Sequence, residues 1–290
     1  TLPDKFPSKI FKQNKLRIGF DPKLFTDRSL KTFFKKTQNI LKPLGKNLID
    51  SIWKNKFKTK VSGFYSLPNK AVGQNFLSKI NILTNEIRKK KVDLQFISSS
   101  ENIAWLLNIR GQDSDFTPIP HSYALIDAEK KINLFFNLNK VNSILKKKLK
   151  GVKLVDINYI DQFLQKFSGR KILIDSLSCS IHFKFLLSKK NNIFEYPDPI
   201  YLLKSIKNKT EINNIMKSHI YDGVALTKFL FWVKKKYQKQ KISELSAQEK
   251  LLELREKNKN FQFLSFPTIS GTGPNGAIIH YRASKKTNRK

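Results

Sequence analysis

The chain has 290 residues and is 40% hydrophobic, which is enough for about two domains with cores of their own, and no apolar run is long enough to span a bilayer. Its net charge of +34 raises the question of nucleic-acid binding, but only eight of its 56 basic residues are arginine, the residue whose planar fork suits phosphates and bases. Because the lysines are spread along the whole chain and no zinc-finger or RNP motif is present, we expect no specific nucleic-acid site; a non-catalytic basic protein that holds nucleic acid is the alternative outside the enzymes.

The first 58 residues are predicted to be the end of a domain. A strand at 16–20 is followed by a helix with apolar positions at Leu30, Phe33, Phe34, Ile40 and Leu41. Residues 59–74 hold two glycines and a proline among polar residues, which indicates a linker. The chain starts on Thr1 rather than a methionine, has no signal peptide and ends without a structural stop, so we expect a fragment that is open at both ends.

Residues 75–203 alternate between helix and strand patterns, which is typical of an α/β domain. The predicted helices cover about 76–87, 101–107, 141–149, 157–167 and 180–187, and the predicted strands cover 92–97, 122–126, 132–136, 152–155 and 171–175. We therefore expect a second domain at 59–203, after a first one that ends at residue 58.

Residues 204–290 are predicted to begin a third domain. Thr210 can cap a helix that runs to about Lys235, Ser243 can cap a second helix at 244–257, and residues 261–266 form a strand pattern. The acidic residues of this region lie on the two helices, and we expect all of them to be surface groups. They include Asp222, Glu244, Glu249 and Glu253.

The segment Ser265–Tyr281 is the most informative stretch of the sequence. Gly271, Gly273 and Gly276 spell G-x-G-x-x-G, but a dinucleotide site needs a helix to open at the last glycine, and Pro274 removes an N–H from the loop. The exit, residues 277–281, is β-branched and aromatic, which favours a strand. We predict a strand, a tight turn and a second strand that carries His280 into a site.

Two residue pairs elsewhere allow a chemical role beside a structural one. His219 and Asp222 share one face of the predicted helix, so they could hold a metal, but two ligands without a third make a weak site and a surface role is favoured. Cys179 and His182 could form a nucleophilic pair; a buried thiol without chemistry is favoured. A single cysteine fits a reducing cytoplasm.

The run Ser-Phe-Pro-Thr-Ile-Ser-x-x-Gly-Pro-Asn-Gly-Ala-Ile-Ile-His-Tyr resembles the opening of the metal-dependent pita-bread domain of aminopeptidase P, in its long three-domain form. Residues 47–53, 101–111 and 218–225 resemble further segments of the same family. The resemblance implies an α/β chain with creatinase-like N-terminal domains followed by the start of a pita-bread catalytic domain at 204–290. Arg110 would then hold a carboxylate or bridge domains, and His121 would be a surface substitution.

The resemblance also implies a function. The whole protein would be a cytoplasmic homodimer that removes the first residue from short peptides with proline in second position. It would use two divalent metal ions, with Mn²⁺ preferred over Zn²⁺ or Co²⁺, and His280 would bind substrate. The family's metal ligands follow the counterpart of His280, so we expect them downstream of Lys290 and expect the 290 residues alone to hold no metal and to be inactive. The alternative enzyme is another pita-bread hydrolase of the prolidase or creatinase kind.

Overall fold

The computed structural model describes residues 15–34, 38–54, 63–239 and 241–290. They divide into two compact units, one with residues up to 113 together with 118–206, the other with 114–117 and 207–290. None of the helices that these residues form has the length and hydropathy of a membrane span.

The first unit is built on a six-stranded mixed sheet. Its strand order is β10-β9-β4-β6-β7-β8; the pairs at the two ends and the β9–β4 pair are parallel, whereas β4–β6 and β6–β7 are antiparallel. The strands are β4 (Leu94–Ile97), β6 (Ser122–Asp127), β7 (Ile132–Phe136), β8 (Val152–Asp156), β9 (Lys171–Ile174) and β10 (Asn192–Glu195). The α/β prediction is confirmed for this region, although β10 was not predicted.

Apolar side chains alternate between the two faces of this sheet, since successive residues of a strand point to opposite sides. Leu134 and Phe136 belong to one buried cluster, and Phe135 between them belongs to the other. The first cluster packs against helices on one face, and the second against helices on the other face. The α-helices that this unit forms from residue 63 onwards are α3 (Asn69–Val72), α4 (Phe76–Lys89), α5 (Ser100–Leu106), α6 (Ser143–Lys148), α7 (Ile160–Leu164), α8 (Ile181–Ser188) and α9 (Ile200–Ser205).

Two stretches of the first unit differ from the sequence prediction. Ile40 and Leu41 lie in strand β2 (Ile40–Pro43), which pairs parallel to β1 (Arg17–Phe20), and not in helix α1 (Asp27–Phe34). β-branched Ile40 suits a strand, and the pairing supplies backbone partners that the helical pattern could not reveal. A short helix, α2 (Leu48–Ile52), follows, capped by the side chain of Asn47.

The predicted linker at 59–74 is also wrong in part. Residues 59–62 lie outside the described residues, but β3 (Tyr65–Ser66) pairs antiparallel with β5 (Ile109–Arg110), and α3 follows it. Gly73 ends α3 with a φ of 68°, a left-handed conformation that glycine adopts without strain. The proline and glycine of this stretch therefore mark the ends of a short helix within the unit: Pro68 precedes α3 and Gly73 ends it.

The first unit buries a carboxylate beside its apolar core. Asp198 accepts hydrogen bonds from Asn102 Nδ2 at 2.7 Å, Gln95 Nε2 at 2.8 Å and Ile200 N at 3.0 Å. Burial raises the pKa of Asp198; these three bonds oppose the rise and the nearby charge of Asp175 adds to it. The Asp198 carboxylate thus connects β4, α5 and α9 by hydrogen bonds.

The second unit consists of two helices and an irregular C-terminal segment. Helix α10 (Lys209–Lys236) starts at a capping box in which Asn208, not the predicted Thr210, is the N-cap. Helix α11 (Glu244–Glu256) is capped by Ser243, as predicted. Arg255 on α11 donates to Asp222 on α10 through Nε at 2.7 Å and Nη2 at 3.2 Å, a bidentate pair that links the helices.

Most apolar side chains of α10 are exposed in the structure. Only Ala225 among the residues of this helix is buried. The exposed set comprises Ile212, Ile215, Met216, Ile220, Tyr221, Val224, Leu226, Leu230 and Phe231. The apolar stripe predicted from the sequence is therefore present, but the described residues do not cover it.

Candidate functional site

The segment that carries His280 is not a pair of strands. Residues 261–272 have no regular secondary structure, a 3₁₀ helix covers Gly273–Ala277, and a turn follows at 278–280. The predicted strands at 261–266 and 277–281 are wrong. A strand is stable only where a second strand completes its ladder of hydrogen bonds, and the described part of the second unit offers none.

Two of the three glycines, Gly271 and Gly273, are explained by the backbone of the segment and not by a phosphate. A Cβ on Gly271 would lie 3.0 Å from both the carbonyl carbon and the oxygen of Asn275, so a larger residue would require the backbone of the turn to shift by a few tenths of an ångström. Gly273 has a φ of 56°, which is in the left-handed region. Because a short 3₁₀ helix with Pro274 follows, the G-x-G-x-x-G spacing has no helix N-terminus to present, in agreement with its rejection as a dinucleotide motif.

The carboxylate of Glu244 organises this segment. Oε1 accepts from Thr272 N at 2.7 Å and from Asn275 Nδ2 at 3.0 Å. Oε2 accepts from Tyr281 OH at 2.8 Å and from Arg289 N at 3.1 Å. Glu244 is only 1% exposed, so its prediction as a surface group is wrong. We refer to Glu244, Thr272, Asn275, Tyr281, Thr287 and Arg289 together as the Glu244 cluster.

The other members of the Glu244 cluster also bind one another. The Tyr281 hydroxyl lies 3.0 Å from Thr287 Oγ1 and 3.1 Å from Thr287 O, and Asn275 Nδ2 donates to Thr287 O at 3.0 Å. Glu244 N in turn donates to Arg289 O at 2.9 Å. The cluster therefore ties the start of α11 to the 3₁₀ turn, to Tyr281 and to the C-terminal residues.

The hydrogen bonds of the cluster shift the pKa of Glu244 downwards. Burial alone raises the pKa of a carboxyl group, but the bonds donated by Thr272, Asn275, Tyr281 and Arg289 outweigh burial and lower the pKa of Glu244 to about 2. The pKa of Tyr281 is raised, first by burial and further by the hydrogen bond and charge of Glu244, although its bond with Thr287 opposes the rise. Glu244 is consequently an anion, and Tyr281 a neutral donor, across the physiological pH range.

His280 is exposed and lies directly before the buried Tyr281. Its backbone φ is 55°, a left-handed conformation that is uncommon for residues other than glycine. Ile279, on its other side, is 86% exposed. The structure thus presents the His280 imidazole at the surface of the second unit, beside an anchored tyrosine.

A cavity of about 490 Å³ lies next to residues 261–269, upstream of the 3₁₀ turn. It is lined by aromatic and aliphatic side chains, among them Phe261, Phe263 and Phe266, and by the Asp222–Arg255 pair. His280 is not among its lining residues.

The described residues do not suit a metal pair. No group of three or more His, Cys, Asp or Glu side chains in the described ranges is arranged to hold a metal ion. Asp222 is engaged by Arg255, and His219 Nδ1 lies 2.9 Å from Ile215 O, as in the helix-surface role favoured from the sequence. The oxygens of Glu244 are occupied by four donors.

The remaining candidates of the sequence analysis lie in the first unit. Cys179 is buried, and burial first, then the charge of Asp175, raises the pKa of its thiol to about 12, so it is not an activated nucleophile. His182 Nε2 lies 3.0 Å from both oxygens of Asp161. Arg110 Nη1 donates to Ala104 O at 3.0 Å and Ile109 O at 2.8 Å.

His121 is exposed, as expected for a surface substitution. Its ring meets Tyr123 edge to face, with the centroids 5.4 Å apart. Its backbone N–H donates to Asp113 Oδ2 at 2.7 Å, so the position has a local structural role.

Glu244 is a residue of the second unit whose burial and hydrogen bonds could not be predicted from the sequence. The signal in the sequence was partial: Ser243 followed by Glu244 marks the start of a helix, where a negative charge is favourable. Nothing local marks the four donors, which come from positions 28 to 45 residues further along the chain.

Two protein families match consecutive parts of the chain. Residues 57–211 match the creatinase/prolidase N-terminal domain, and residues 213–290 match metallopeptidase family M24. A probable Xaa-Pro aminopeptidase P from Blastomyces gilchristii is 34% identical over 292 residues, and Xaa-Pro aminopeptidase 1 from Dictyostelium discoideum is 33% identical over 306. These alignments cover 93% and 99% of this chain but only 47% and 48% of the relatives, so the chain spans about half their length.

The fold is also similar to that of a solved protein. The crystal structure of an X-prolyl aminopeptidase from Caenorhabditis elegans, described as a cytosolic enzyme with a di-nuclear active site, superposes with a TM-score of 0.88 at 21% identity. The match covers all of this chain and 50% of that one. It supports the creatinase-like and pita-bread fold expected from the sequence.

Proposed function

This chain belongs to the aminopeptidase P group of the creatinase/prolidase and M24 metallopeptidase families, and from that premise we propose that its protein is an Xaa-Pro aminopeptidase. The reaction is hydrolysis of the bond between the first residue of a short peptide and a proline in second position. The observation that carries the proposal is the order of the two family matches, 57–211 and 213–290, together with 34% identity to a relative of that name over 93% of the chain. We also propose domains at 1–58, 59–203 and 204–290.

The metal ions belong to the proposal as well. The described residues supply no set of ligands, so we propose that two divalent ions, Mn²⁺ in preference to Zn²⁺ or Co²⁺, are bound by residues downstream of Lys290. The description of the Caenorhabditis elegans relative as di-nuclear supports two ions, and its description as cytosolic supports a cytoplasmic protein. We further propose a homodimer and no specific nucleic-acid partner.

Within this chain, His280 is the proposed substrate-binding residue. Its imidazole is exposed, and the neighbouring Tyr281 is fixed by two hydrogen-bonded residues, so the ring is held on an anchored backbone. A neutral or protonated imidazole can donate to the carbonyl oxygen of the peptide bond that is cleaved, and such a donor stabilises the negative charge that develops there.

The test compares three forms of the protein encoded by the whole gene: unchanged, His280→Ala and His219→Ala. Hydrolysis of Arg-Pro-Pro is measured with Mn²⁺. Loss of a donor to the developing oxyanion costs about 10²–10³ in kcat, so His280→Ala should be slower by that factor. His219→Ala is the matched control, because His219 is an exposed histidine of the same unit and its Nδ1 lies 2.9 Å from Ile215 O of its own helix.

Two results would overturn parts of the proposal. Equal rates for His280→Ala and the unchanged protein would remove the substrate role of His280. Cleavage of Arg-Pro-Pro by the 290-residue chain with Mn²⁺ would refute the placement of the metal ligands downstream. Turnover of Ala-Pro but not of Arg-Pro-Pro would make the protein a prolidase-like enzyme instead.

A further inference from the structure

We propose that Glu244 is the positioning residue of the turn that carries His280; the inference rests on the substrate role proposed above for His280. Glu244 is on a different element from His280, 36 positions earlier in the chain, and does not touch it in any described contact. It acts through the two side chains that bracket the turn, Asn275 and Tyr281.

One carboxylate, that of Glu244, fixes both ends of the turn. Asn275 Nδ2 lies 3.0 and 3.2 Å from the two oxygens of Glu244, and Tyr281 OH lies 2.8 Å from Oε2. Asn275 and Tyr281 are 8% and 6% exposed, whereas all five residues between them, 276–280, are exposed. The turn at 276–280 is thus an exposed stretch held between two buried anchors.

The backbone of His280 adopts a conformation that needs support from neighbouring residues. A non-glycine residue in the left-handed region is strained and persists only where the surrounding contacts determine the chain path. His280 has a φ of 55°, and Tyr281, the next residue, is the one that Glu244 and Thr287 hold. Release of Tyr281 would let His280 relax to an ordinary φ, which turns its side chain in another direction.

The residue that holds the turn must be a carboxylate. All four donors that reach Glu244 point at it, two from backbone N–H groups and two from side chains. A glutamine would keep the shape but would replace one acceptor oxygen with an NH₂ group, which would face donors. The start of helix α11 also favours the negative charge. Shape and charge are therefore both required.

The first experiment measures hydrogen exchange in the 290-residue chain with Glu244→Ala, Glu244→Gln and Tyr281→Phe. Peptides that cover 271–282 should exchange at least about tenfold faster in both Glu244 variants, and less so in Tyr281→Phe, which removes one donor and keeps the ring. Peptides of α10 should not change. Glu249→Gln is the control, because Glu249 is an exposed acid of the same helix.

The second experiment is a double-mutant cycle on kcat/KM in the protein encoded by the whole gene. Misplacement of a catalytic or binding group by about 1 Å can cost about 10²-fold, so Glu244→Gln alone should lower kcat/KM by about that factor. If Glu244 acts through His280, the double variant with His280→Ala should be no slower than His280→Ala alone. A purely structural role would instead make the two losses multiply.

Two outcomes would overturn the inference. Unchanged exchange at 271–282 in Glu244→Ala would show that the carboxylate does not hold the turn. Multiplying losses in the cycle would show that Glu244 does not act through His280. If His280→Ala itself has a normal kcat/KM, the proposed function of His280 fails and the substrate part of the inference fails with it, whereas the exchange experiment still decides whether Glu244 anchors the turn.

Discussion

Asp198 in the first unit and Glu244 in the second are both buried carboxylates, yet their surroundings shift their pKa values in opposite directions. For Asp198, burial beside an apolar core and the nearby charge of Asp175 outweigh three hydrogen bonds, and the pKa is raised. For Glu244, four donors at a helix start outweigh burial, and the pKa is lowered. Burial alone therefore does not fix the charge of a carboxylate. The hydrogen-bond donors that reach it decide whether its pKa is raised or lowered.

The same contrast holds for what stabilises the two units. The first unit buries continuous apolar clusters on both faces of its sheet. In the described part of the second unit, the buried residues are Ala225, Glu244, Asn275 and Tyr281, and three of these four belong to the Glu244 cluster. Apolar burial therefore dominates the stability of the first unit, and a polar network holds the turn at 276–280 in the second.

The largest effect should come from the apolar core of the first unit. Phe136 is fully buried and stacks on Phe64 with the ring centroids 5.5 Å apart, so Phe136→Ala should lower the free energy of unfolding by about 3–5 kcal/mol. The measurement is hydrogen exchange of peptides 122–136 in increasing urea. Phe185→Ala is the control, since Phe185 is 49% exposed and its loss should cost little.

Equal destabilisation by Phe136→Ala and Phe185→Ala would break the comparison, because it would mean that burial does not set the stability of the first unit. Faster exchange in the Glu244 cluster of the Phe136→Ala variant would break it in another way, because the two units would then not be stabilised separately.

Acid should loosen the Glu244 cluster selectively. The pKa of Glu244 is about 2 in the fold, against an ordinary 4.5, so its stabilisation is complete above about pH 4.5 and declines as the pH falls towards 2. The raised pKa of Asp198 has the opposite sign, so acid strengthens its contribution. Protection factors for 271–289 should fall between pH 5 and pH 3, and in Glu244→Gln this dependence should be absent.

The result that contradicts this prediction is equal protection of 271–289 at pH 5 and pH 3 in the unchanged chain. A fall of the same size in Glu244→Gln would assign the acid response to another group.

The sequence predicted the elements whose signal is local. Helix α4 shows a regular apolar face, residues 122–126 and 132–136 read as a pair of strands, and Ser243 caps α11; all three are found. Ile40 was misplaced because its distance from the predicted helix also fits helical spacing. Only its pairing with β1 shows that it belongs to a strand. Helical spacing cannot reveal a partner strand.

Only one residue of the candidate site, His280, could be predicted from the sequence. His280 stood out through its motif, but the burial of Glu244 depends on Thr272, Asn275, Tyr281 and Arg289, which meet only in the fold. A glutamate in the first turn of a helix is usually an exposed charge, and on that rule it was predicted to be one. The extended exit predicted before His280 failed for the same reason, since a strand depends on a neighbour that local sequence does not specify.

The smallest effect should come from the exposed face of α10. Met216 is 60% exposed, and methionine and glutamine have similar helix propensity, so Met216→Gln should change the protection of α10 by no more than about 0.5 kcal/mol. Ala225, the buried residue of the same helix, is the matched contrast: Ala225→Leu adds volume to a filled position and should cost about 1–3 kcal/mol. Hydrogen exchange of α10 peptides measures both. A loss in Met216→Gln as large as that in Ala225→Leu would mean that the apolar face is covered in solution, and a concentration dependence of that loss would identify the cover as a second copy of the chain, since only association responds to concentration.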